Sequence, residues 1–252
     1  MAEFGGCKAL VTGAASGIGL ATARRLAAGG AARLILTDID ADALARAYGE
    51  LGEIVEAVPG DVTDEALWRE LAPELAGLDL AVVNAGVAAS GAIHDLALAD
   101  WRRVMAVNLD GAFLTLRAAM VAMRGRAGAI VVVASAAGLK AEPGIAAYAA
   151  SKAGVIQLAR VAAKEGAAQG LRVNAIAPGG VETPIWQAVP FFRDLAEKDG
   201  EAAAFAAMAR MATPLGRFAT ANEIAGQIAF LLSDSCANIT GTVFNSDGGY
   251  TL

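Results

Sequence analysis

The sequence predicts an α/β fold in which a doubly wound parallel sheet carries helices on both faces. Short β-branched runs alternate with longer helical patterns along most of the chain, and this alternation is typical of βαβ units. With 252 residues, 56% of them hydrophobic, the chain can also bury one sizeable core. We therefore expect one large domain rather than two small ones.

Seven apolar or β-branched runs predict the strands of a seven-stranded sheet, at 9–12, 34–37, 54–57, 80–83, 130–134, 173–177 and 242–245. Helical patterns fill the intervals, at 17–28, 41–49, 65–76, 98–123, 147–168 and 222–233. No repeat, low-complexity tail or Pro/Ser linker divides the chain, so residues 1–252 are predicted to form a single domain. A long insertion at about 183–213 interrupts the alternation and predicts a lid over a binding site.

Composition excludes several classes of partner. The formal net charge of −6 argues against nucleic acid or an anionic membrane, because both bind clustered Lys and Arg. Cys7 and Cys236 lie far apart in sequence, so no disulfide framework is predicted and a reducing compartment suits the protein. The longest charge-free apolar run, 127–139, is too short to span a bilayer. We expect a soluble cytoplasmic protein whose partner is a small molecule.

The chain has one histidine, His94, in the polar-flanked segment SGAIHDL. Without a second histidine or a cysteine cluster, a His-rich metal site or a Ser-His-Asp triad has too few residues to form. We therefore predict no metal site. His94 receives no functional role, because an ordinary loop or pocket-rim residue is the simpler interpretation.

A glycine-rich turn, TGAASGIG, follows the first predicted strand and opens the first predicted helix. The missing β-carbons of Gly13, Gly17 and Gly19 let the backbone approach a pyrophosphate, and the N–H groups at the start of the helix point at its charge. The spacing is GxxxGxG rather than GxGxxG, and a tight βα turn without a ligand is the alternative. The position in the first βα unit favours a dinucleotide site of Rossmann type.

Asp38 ends the second predicted strand, about 20 residues beyond the turn, where a ribose-binding acid is expected. Its carboxylate can accept hydrogen bonds from a ribose 2′-hydroxyl but would repel a 2′-phosphate, and no basic residue occupies 14–16 or follows Asp38. The cofactor is therefore predicted to be NAD. The alternative is that Asp38 is only a turn residue, with Asp40 capping the next helix. Further residues at the predicted carboxyl edge are Asp61 and the run Asn84, Ala85 and Gly86.

Tyr148 and Lys152 lie four residues apart in the alanine-rich segment AAYAASKAGV. On a helix they share one face, and an ammonium group beside a phenol favours the phenolate by up to about 4 kcal/mol at 4 Å. On spacing alone, a solvated surface pair is the stronger interpretation. Ser135, directly after the strand AIVVVAS, and Asn108, an amide inside a long helical segment, favour a functional one.

Taken together, TGAASGIG, Asp38, NAG, Asn108, Ser135, YAASK and PGGVET resemble the short-chain dehydrogenase/reductase (SDR) family over nearly the whole chain. The resemblance implies a catalytic tetrad of Asn108, Ser135, Tyr148 and Lys152. In it Tyr148 exchanges a proton with the substrate oxygen, which Ser135 polarises. Lys152 holds the nicotinamide ribose and lowers the tyrosine pKa, while Asn108 supports a water-linked proton path. Val83 departs from the family pattern, where many members have another Asn.

The predicted cofactor-binding residues combine the turn, the strand ends and the positions that the family resemblance adds: Gly13, Ser16, Gly17, Ile18, Gly19, Asp38, Ile39, Asp61, Val62, Asn84, Ala85, Gly86, Tyr148, Lys152, Pro178, Gly179, Val181 and Thr183. A nicotinamide exchanges a hydride with carbon while a tyrosine exchanges a proton with oxygen. We therefore predict an enzyme that acts on CH–OH groups and interconverts a secondary alcohol and a ketone.

The predicted lid is rich in large apolar residues, which would either close over an apolar substrate or only pack the lid onto the domain or onto another subunit: Ile185, Trp186, Val189, Phe191, Phe192, Leu195, Phe205, Met208 and Met211. We expect an apolar or cyclic substrate, such as a steroid-like alcohol. One alternative is a 3-oxoacyl-thioester (acyl carrier protein) reductase, with Arg124 and Arg126 docking an acidic carrier. Another is a noncatalytic dinucleotide sensor. Family resemblance further implies a homotetramer.

Overall fold

The computed structural model describes residues 3–252, apart from the side chain of residue 48, so the first two residues of the predicted domain lie outside it. Seven strands form one parallel sheet in the order β3-β2-β1-β4-β5-β6-β9. They are β1 Lys8–Thr12, β2 Arg33–Asp38, β3 Val55–Pro59, β4 Leu80–Val83, β5 Gly128–Val133, β6 Leu171–Pro178 and β9 Val243–Ser246. A separate two-stranded pair joins β7 Val181–Glu182 to β8 Ala219–Thr220. The predicted doubly wound parallel sheet is confirmed.

Helices cover both faces of the sheet. They are α1 Gly17–Ala28, α2 Ala41–Leu51, α3 Glu65–Leu71, α4 Leu98–Met105, α5 Gly111–Ala122, α6 Ala146–Gly166, α7 Pro190–Asp199, α8 Glu201–Ala212 and α9 Ala221–Leu232. Helix α3 ends at Leu71, earlier than the predicted 76, because Pro73 has no N–H to continue the helical hydrogen bonds. The predicted helix 98–123 is divided by a π-helical turn, Ala106–Asp110.

Two apolar cores lie on opposite faces of the sheet, because alternate side chains of each strand point to opposite sides. Leu10 and Ile35 face one core, to which α3, α5 and α6 contribute. Val11 and Leu34 face the other, to which α1, α2 and α9 contribute. Since both faces are covered, the strands are mostly apolar, with exceptions such as Glu56 and Asn174, and further polar side chains follow where the strands end.

The continuous helical stretch Leu98–Ala122 is long and apolar enough to cross a membrane by length and composition alone. Core helices meet the same test, and this stretch packs as one. Leu114, Leu116 and Ala119 of α5 are buried in the core beside α6. Its packing against the sheet accounts for its apolar character.

Candidate active site

The polar residues predicted from sequence collect at the carboxyl edge of the sheet, beyond β1, β2, β4, β5 and β6. The glycine-rich turn begins there with Gly13 and Gly17 at φ +63° and +51°, a backbone conformation that glycine adopts without strain. A β-carbon on Gly19 would lie 2.0 Å from the Gly13 carbonyl oxygen, so the turn has no space for a larger residue. Ser16 precedes α1 and makes no side-chain cap to it. A pyrophosphate could therefore approach the N–H groups at this helix start.

The turn is fixed to the segment after β4. Asn84 Nδ2 donates to the carbonyl oxygens of Thr12 and Gly13 at 2.9 and 3.1 Å. The Thr12 hydroxyl in return accepts the backbone N–H groups of Asn84 and Ala85 at 3.0 and 3.1 Å. Sequence reasoning missed Thr12, although a hydroxyl at the end of an otherwise apolar strand could have indicated it.

Asp38 connects the end of β2 to the same turn. Its Oδ2 accepts the N–H of Ala15 at 3.0 Å, and its Oδ1 accepts the N–H of Asp40 at 3.1 Å. Asp40 in turn accepts the N–H of Ala43 at 2.9 Å, as expected of a residue near the start of α2. Ile39 is 73% exposed beside the carboxylate. Each Asp38 oxygen has a further acceptor site, so the turn role and a ribose role are compatible.

Asp61 and Val62, both predicted to bind the cofactor, lie in the segment after β3. Asp61 accepts the N–H of Thr63 at 2.9 Å and so shapes its own turn. Val62 is only 5% exposed, and its carbonyl accepts the Trp68 indole N–H at 2.9 Å. A β-carbon on Gly111 would lie 2.6 Å from Val62 Cγ2, which places the valine side chain against α5. The Val62 side chain therefore packs in the core.

Asn108 lies in the π-helical turn between α4 and α5 and is 1% exposed. Its Oδ1 accepts the N–H of Val87 at 2.8 Å, and its Nδ2 donates to the Val87 carbonyl at 2.9 Å and to the Ser151 hydroxyl at 3.1 Å. The Ser151 hydroxyl donates to the carbonyl of Tyr148 at 2.8 Å. The buried amide is thus satisfied and ties the π turn to the helix that carries Tyr148. Ser151 is a second residue that sequence reasoning missed.

Ser135, Tyr148 and Lys152 come together where β5 ends against α6. Burial raises the pKa of Tyr148, while a hydrogen bond with Ser135 opposes that rise. The Ser135 hydroxyl also accepts the N–H of Ala137 at 3.1 Å and reaches the Pro178 carbonyl at 3.5 Å. The Lys152 ammonium donates to the Val133 carbonyl at 2.9 Å and lies 5.6 Å from the centre of the Tyr148 ring.

The pKa of Tyr148 departs from the expected direction. A lysine beside the phenol was expected to lower that pKa, but burial dominates and raises it. Burial also lowers the pKa of Lys152 to about 8, which weakens the ammonium as a partner for a phenolate. Gly86 completes the cluster, because a β-carbon there would lie 3.4 Å from Asn108 Oδ1 and 3.5 Å from Lys152 Nζ.

The segment after β6 returns to the glycine-rich turn. A β-carbon on Gly17 would lie 3.2 Å from Thr183 Cγ2. Gly179 donates its N–H to the Ser246 carbonyl at 3.0 Å, at the end of β9. Val181 is 6% exposed, and its carbonyl accepts the Trp186 indole N–H at 2.9 Å. Thr183 therefore marks the point where the predicted lid leaves the glycine-rich turn.

The aromatic residues of the 183–213 segment pack mainly on one another and on Phe218. The rings of Trp186 and Phe218 stack with centroids 5.2 Å apart, and those of Phe192 and Phe205 lie 4.6 Å apart. Phe192 is 1% exposed, whereas Met211 is 73% exposed. These rings hold the segment together as one body.

In chemical terms, the edge combines a turn shaped for phosphates with two neighbouring hydroxyl groups and a buried ammonium group. Ser135 and Tyr148 can orient an oxygen atom and exchange a proton with it. Among residues 3–252, no group of three or more His, Cys, Asp or Glu is arranged to hold a metal ion. His94 is exposed and lies 3.2 Å from Asp95, outside this cluster.

Comparisons with known proteins agree with this chemistry. A family model described as enoyl-(acyl carrier protein) reductase matches residues 13–251. The chain is 43% identical to cis-4-hydroxycyclohexanecarboxylate dehydrogenase of Sinomonas cyclohexanicum, covering 96% of each chain. It is also 43% identical to an L-tagatose-forming galactitol 2-dehydrogenase of Cereibacter sphaeroides, covering 98% of this chain and 96% of the relative.

Two further matches extend the comparison. The chain is 37% identical to a 3-oxoacyl-[acyl-carrier-protein] reductase of Thermotoga maritima, covering 96% of this chain and 97% of the relative. The crystal structure of levodione reductase superposes with a TM-score of 0.89 at 33% identity, covering 98% of each chain. These four similar proteins are oxidoreductases, and the names of the first three refer to cyclic, polyol and thioester substrates.

Proposed function

Because the chain belongs to the short-chain dehydrogenase/reductase family, we propose that it is an NAD-dependent oxidoreductase that interconverts an apolar or cyclic secondary alcohol and its ketone. The observation that carries the proposal is the contact of Ser135 with Tyr148, beside Lys152, at the edge that holds the glycine-rich turn. Membership of the family makes the protein an oxidoreductase with a nicotinamide dinucleotide cofactor. The choice of NAD and the substrate class are our proposal.

The residues at this edge fit such a cofactor. The turn of Gly13, Gly17 and Gly19 and the uncapped start of α1 would hold the pyrophosphate, and Asp38 would hold the adenosine ribose. Lys152 lies where it would bond the nicotinamide ribose, and Pro178, Gly179, Val181 and Thr183 would surround the carboxamide. When bound, the nicotinamide supplies the acceptor or donor of a hydride.

The protein's own residues would manage the proton. Tyr148 would exchange it with the substrate oxygen, and the neighbouring Ser135 hydroxyl would orient that oxygen. Asn108 would act indirectly, because its side-chain amide is already hydrogen-bonded to Val87 and Ser151. Asn108 would keep the π turn and α6 at a fixed relative position, so that a water path to the site would run along fixed backbone groups.

Two observations support a cyclic or apolar alcohol. One relative at 43% identity is named as a dehydrogenase of a hydroxycyclohexanecarboxylate. The segment 183–213 also retains exposed apolar side chains, Phe191 and Met211, outside its aromatic cluster. Closure of an apolar lid would exclude water from the reacting carbon.

The first test separates cofactor from substrate. Fluorescence titration with NADH and NADPH should show at least ~10-fold tighter binding of NADH, because the Asp38 carboxylate repels a 2′-phosphate. The Asp38→Ala variant should lose most of that preference. Tighter binding of NADPH by the unaltered protein would contradict the NAD assignment.

A second test addresses the substrate. Cyclohexanols, a steroid alcohol, galactitol and a 3-hydroxyacyl thioester should be compared by NADH formation. We expect turnover of the cyclic alcohols and loss of ~10²–10⁴-fold in the Tyr148→Phe variant, with NADH affinity retained. Turnover of small polar alcohols alone would contradict the apolar substrate. Unchanged turnover in Tyr148→Phe would refute the catalytic role of Tyr148, whereas NADH binding without turnover of any alcohol by the unaltered protein would favour the noncatalytic sensor.

A thioester reductase is the second candidate, favoured by the family model's description and by the Thermotoga maritima relative. In this alternative, the sequence predicts that Arg124 and Arg126 bind an acidic carrier protein. Arg126 Nη2 lies 2.9 Å from Asp79 Oδ1, so its charge is already paired. Preference for NADPH together with thioester turnover would move this candidate to first place.

A cytoplasmic location and a homotetramer complete the proposal. Both cysteines are free thiols, Cys236 being buried and Cys7 half-buried, which suits a reducing compartment. Exposed apolar side chains on α5 and α6, Phe113 and Val161, support assembly with further copies of this chain. Fractionation of cell extracts and a solution mass measurement test the two statements separately.

A further inference from the structure

The last six residues, 247–252, form a compact C-terminal segment that holds its own shape. The Asp247 carboxylate accepts the N–H groups of Gly249 and Thr251 at 2.9 and 3.1 Å and the hydroxyl of Thr251. The N–H of Tyr250 donates back to the Asp247 carbonyl at 3.1 Å. These bonds lower the pKa of Asp247 against the effect of burial, so the carboxylate is held as an acceptor.

This segment packs against the end of the lid. The N–H of Leu215 donates to the Gly248 carbonyl at 3.1 Å. A β-carbon on Gly249 would lie 2.8 Å from Pro214 Cγ, and one on Gly248 would lie 3.3 Å from Thr213 Cβ. The backbone of the segment therefore touches the chain at the point where the lid rejoins the domain.

The same segment holds the loop that follows the site hydroxyl, which we define as the Ser135 loop, residues 135–142. The Lys140 ammonium donates to the Tyr250 carbonyl at 2.7 Å and lies 4.5 Å from the centre of its ring. Glu142 lies beside the Tyr250 hydroxyl, and burial together with that carboxylate raises the pKa of Tyr250 to about 12. Lys140 thus contacts both the ring and the carbonyl of Tyr250, and Glu142 lies beside its hydroxyl.

The Ser135 loop transmits this contact to the site. The N–H of Lys140 donates to the Ala136 carbonyl at 2.9 Å, which closes the turn directly after Ser135. A β-carbon on Gly138 would lie 2.8 Å from the Ala153 nitrogen, so the loop rests on α6 beside Lys152. Displacement of Lys140 would therefore shift the positions of Ser135 and of the helix that carries Tyr148.

We propose that Tyr250 is a positioning residue that joins the end of the lid to the Ser135 loop, so that closure over the substrate and orientation of Ser135 occur together. The inference rests on the proposed function and deepens it. The glycine-rich turn and Asp38 lie beyond β1 and β2, on the other side of the site. Loss of the Tyr250 contact should therefore weaken substrate binding and turnover while cofactor binding is retained.

The test uses two variants of one residue with a matched control. Tyr250→Phe keeps the ring beside Lys140 and removes the hydroxyl beside Glu142, whereas Tyr250→Ala removes both. Leu252→Ala changes a side chain that is 99% exposed in the same segment. Hydrogen exchange is measured at residues 135–142 and 183–213, and KM, kcat and NADH affinity are measured on the same preparations.

For Tyr250→Ala we expect amide exchange to rise ~10-fold in both segments, with a smaller rise for Tyr250→Phe and no change for Leu252→Ala. KM for the alcohol should rise ~5–10-fold while NADH affinity stays within about twofold, because the lost side-chain contacts are to Lys140 and Glu142, which are not among the predicted cofactor-binding residues. The destabilised variant Arg172→Met, altered at the far end of β6, should leave exchange in both segments unchanged. That result would separate positioning from general loss of stability.

Exchange that rises only at 247–252, or in one segment but not the other, would overturn the coupling. A parallel loss of NADH affinity would also overturn it, because the effect would then be general loosening. Exchange that rises in both segments of a protein that oxidises no alcohol would uphold the coupling and refute the proposed function.

Discussion

Lys152 is a charged side chain inside the protein, 5% exposed, with one hydrogen bond to the Val133 carbonyl. Burial lowers its pKa to about 8, against about 10.4 in an unfolded chain. Between those values the unfolded chain binds more protons, so this group makes stability rise with pH from about 8 to about 10.4. Below pH 8, burial of the charged lysine lowers the free energy of unfolding by its full amount, up to about 3 kcal/mol.

We therefore expect Lys152→Met to lose activity and to gain stability at neutral pH. The gain should be about 1–2 kcal/mol at pH 7, after the lost hydrogen bond to Val133 offsets part of the relieved cost. The gain should vanish or reverse near pH 10, where the lysine is neutral. Denaturant unfolding at both pH values measures it, with the exposed Lys164→Met on the same helix as control. A Lys152→Met protein less stable than the parent at pH 7 would contradict this account.

Ser151 is fully buried, and its hydroxyl serves both Asn108 Nδ2 and the Tyr148 carbonyl. Ser151→Ala should leave one Asn108 donor without its partner and cost about 1–3 kcal/mol of stability. Because the freed amide can then turn, kcat should fall while NADH affinity is retained. Ser151→Thr, which restores a hydroxyl, should recover part of kcat if the helix accommodates the added methyl group. Equal kcat in Ser151→Ala and the parent would show that Asn108 needs no such support.

At this scale the sequence predicted which side chains meet, but not what their surroundings do to them. The four-residue spacing of Tyr148 and Lys152 correctly indicated a shared helix face. The pKa of Tyr148 depends on burial and on Ser135, neither of which a spacing contains. The role of Ser151 could not be predicted from a local pattern either, because its partner Asn108 is 43 residues away.

At the level of elements, α9 ends against β6 through one arginine. The Arg172 guanidinium donates to the carbonyl oxygens of Leu231, Leu232 and Ser233 at 2.7, 2.9 and 3.0 Å. These carbonyls close the last turn of α9, where helical partners run out and a cation also suits the helix dipole. The contact fixes α9, which packs on α1, the helix that begins at the glycine-rich turn.

Arg172→Met should keep the apolar stem and remove the cap, lowering stability by about 2–3 kcal/mol, since three carbonyls lose a charged donor. Cofactor affinity should change little, because the turn lies at the opposite end of α1. Thermal unfolding measures the loss, and Arg210→Met, exposed on α8, serves as the control. A loss below about 0.5 kcal/mol, typical of a surface position, would show that water replaces the guanidinium.

Element positions were predictable where periodicity was strong and less so where a local chemical feature intervened. The starts of α1 and α2 matched because Gly17 and Asp40 mark them in the sequence. The π turn around Asn108 was not predicted, because α5 is apolar on most sides and so hides the change of helix face that an extra residue causes. The early end of α3 could have been foreseen from Pro73.

For the whole molecule, contacts between distant segments define the site, and these were the least predictable. Seven strands in alternation were enough to predict a doubly wound sheet, since right-handed crossovers leave few other topologies. The aromatic cluster of Trp186, Phe205 and Phe218 was not foreseen as such, because apolar residues in a lid are also expected of a substrate wall. Nor did any local pattern indicate that Tyr250 meets Lys140, 110 residues earlier.

Assembly is the last property of the whole chain that the surface predicts. Phe113, Val121 and Val161 are 46, 56 and 43% exposed on α5 and α6, two helices that pack side by side. An apolar patch on neighbouring helices is stabilised when a second copy covers it. Phe113→Asp should therefore shift the solution mass from the predicted tetramer to a smaller species at micromolar concentration. Leu215→Asp, which places the same charge on an exposed residue outside these helices, should leave the mass unchanged. A parent protein that sediments as a monomer would refute the assembly while leaving the single-chain site intact.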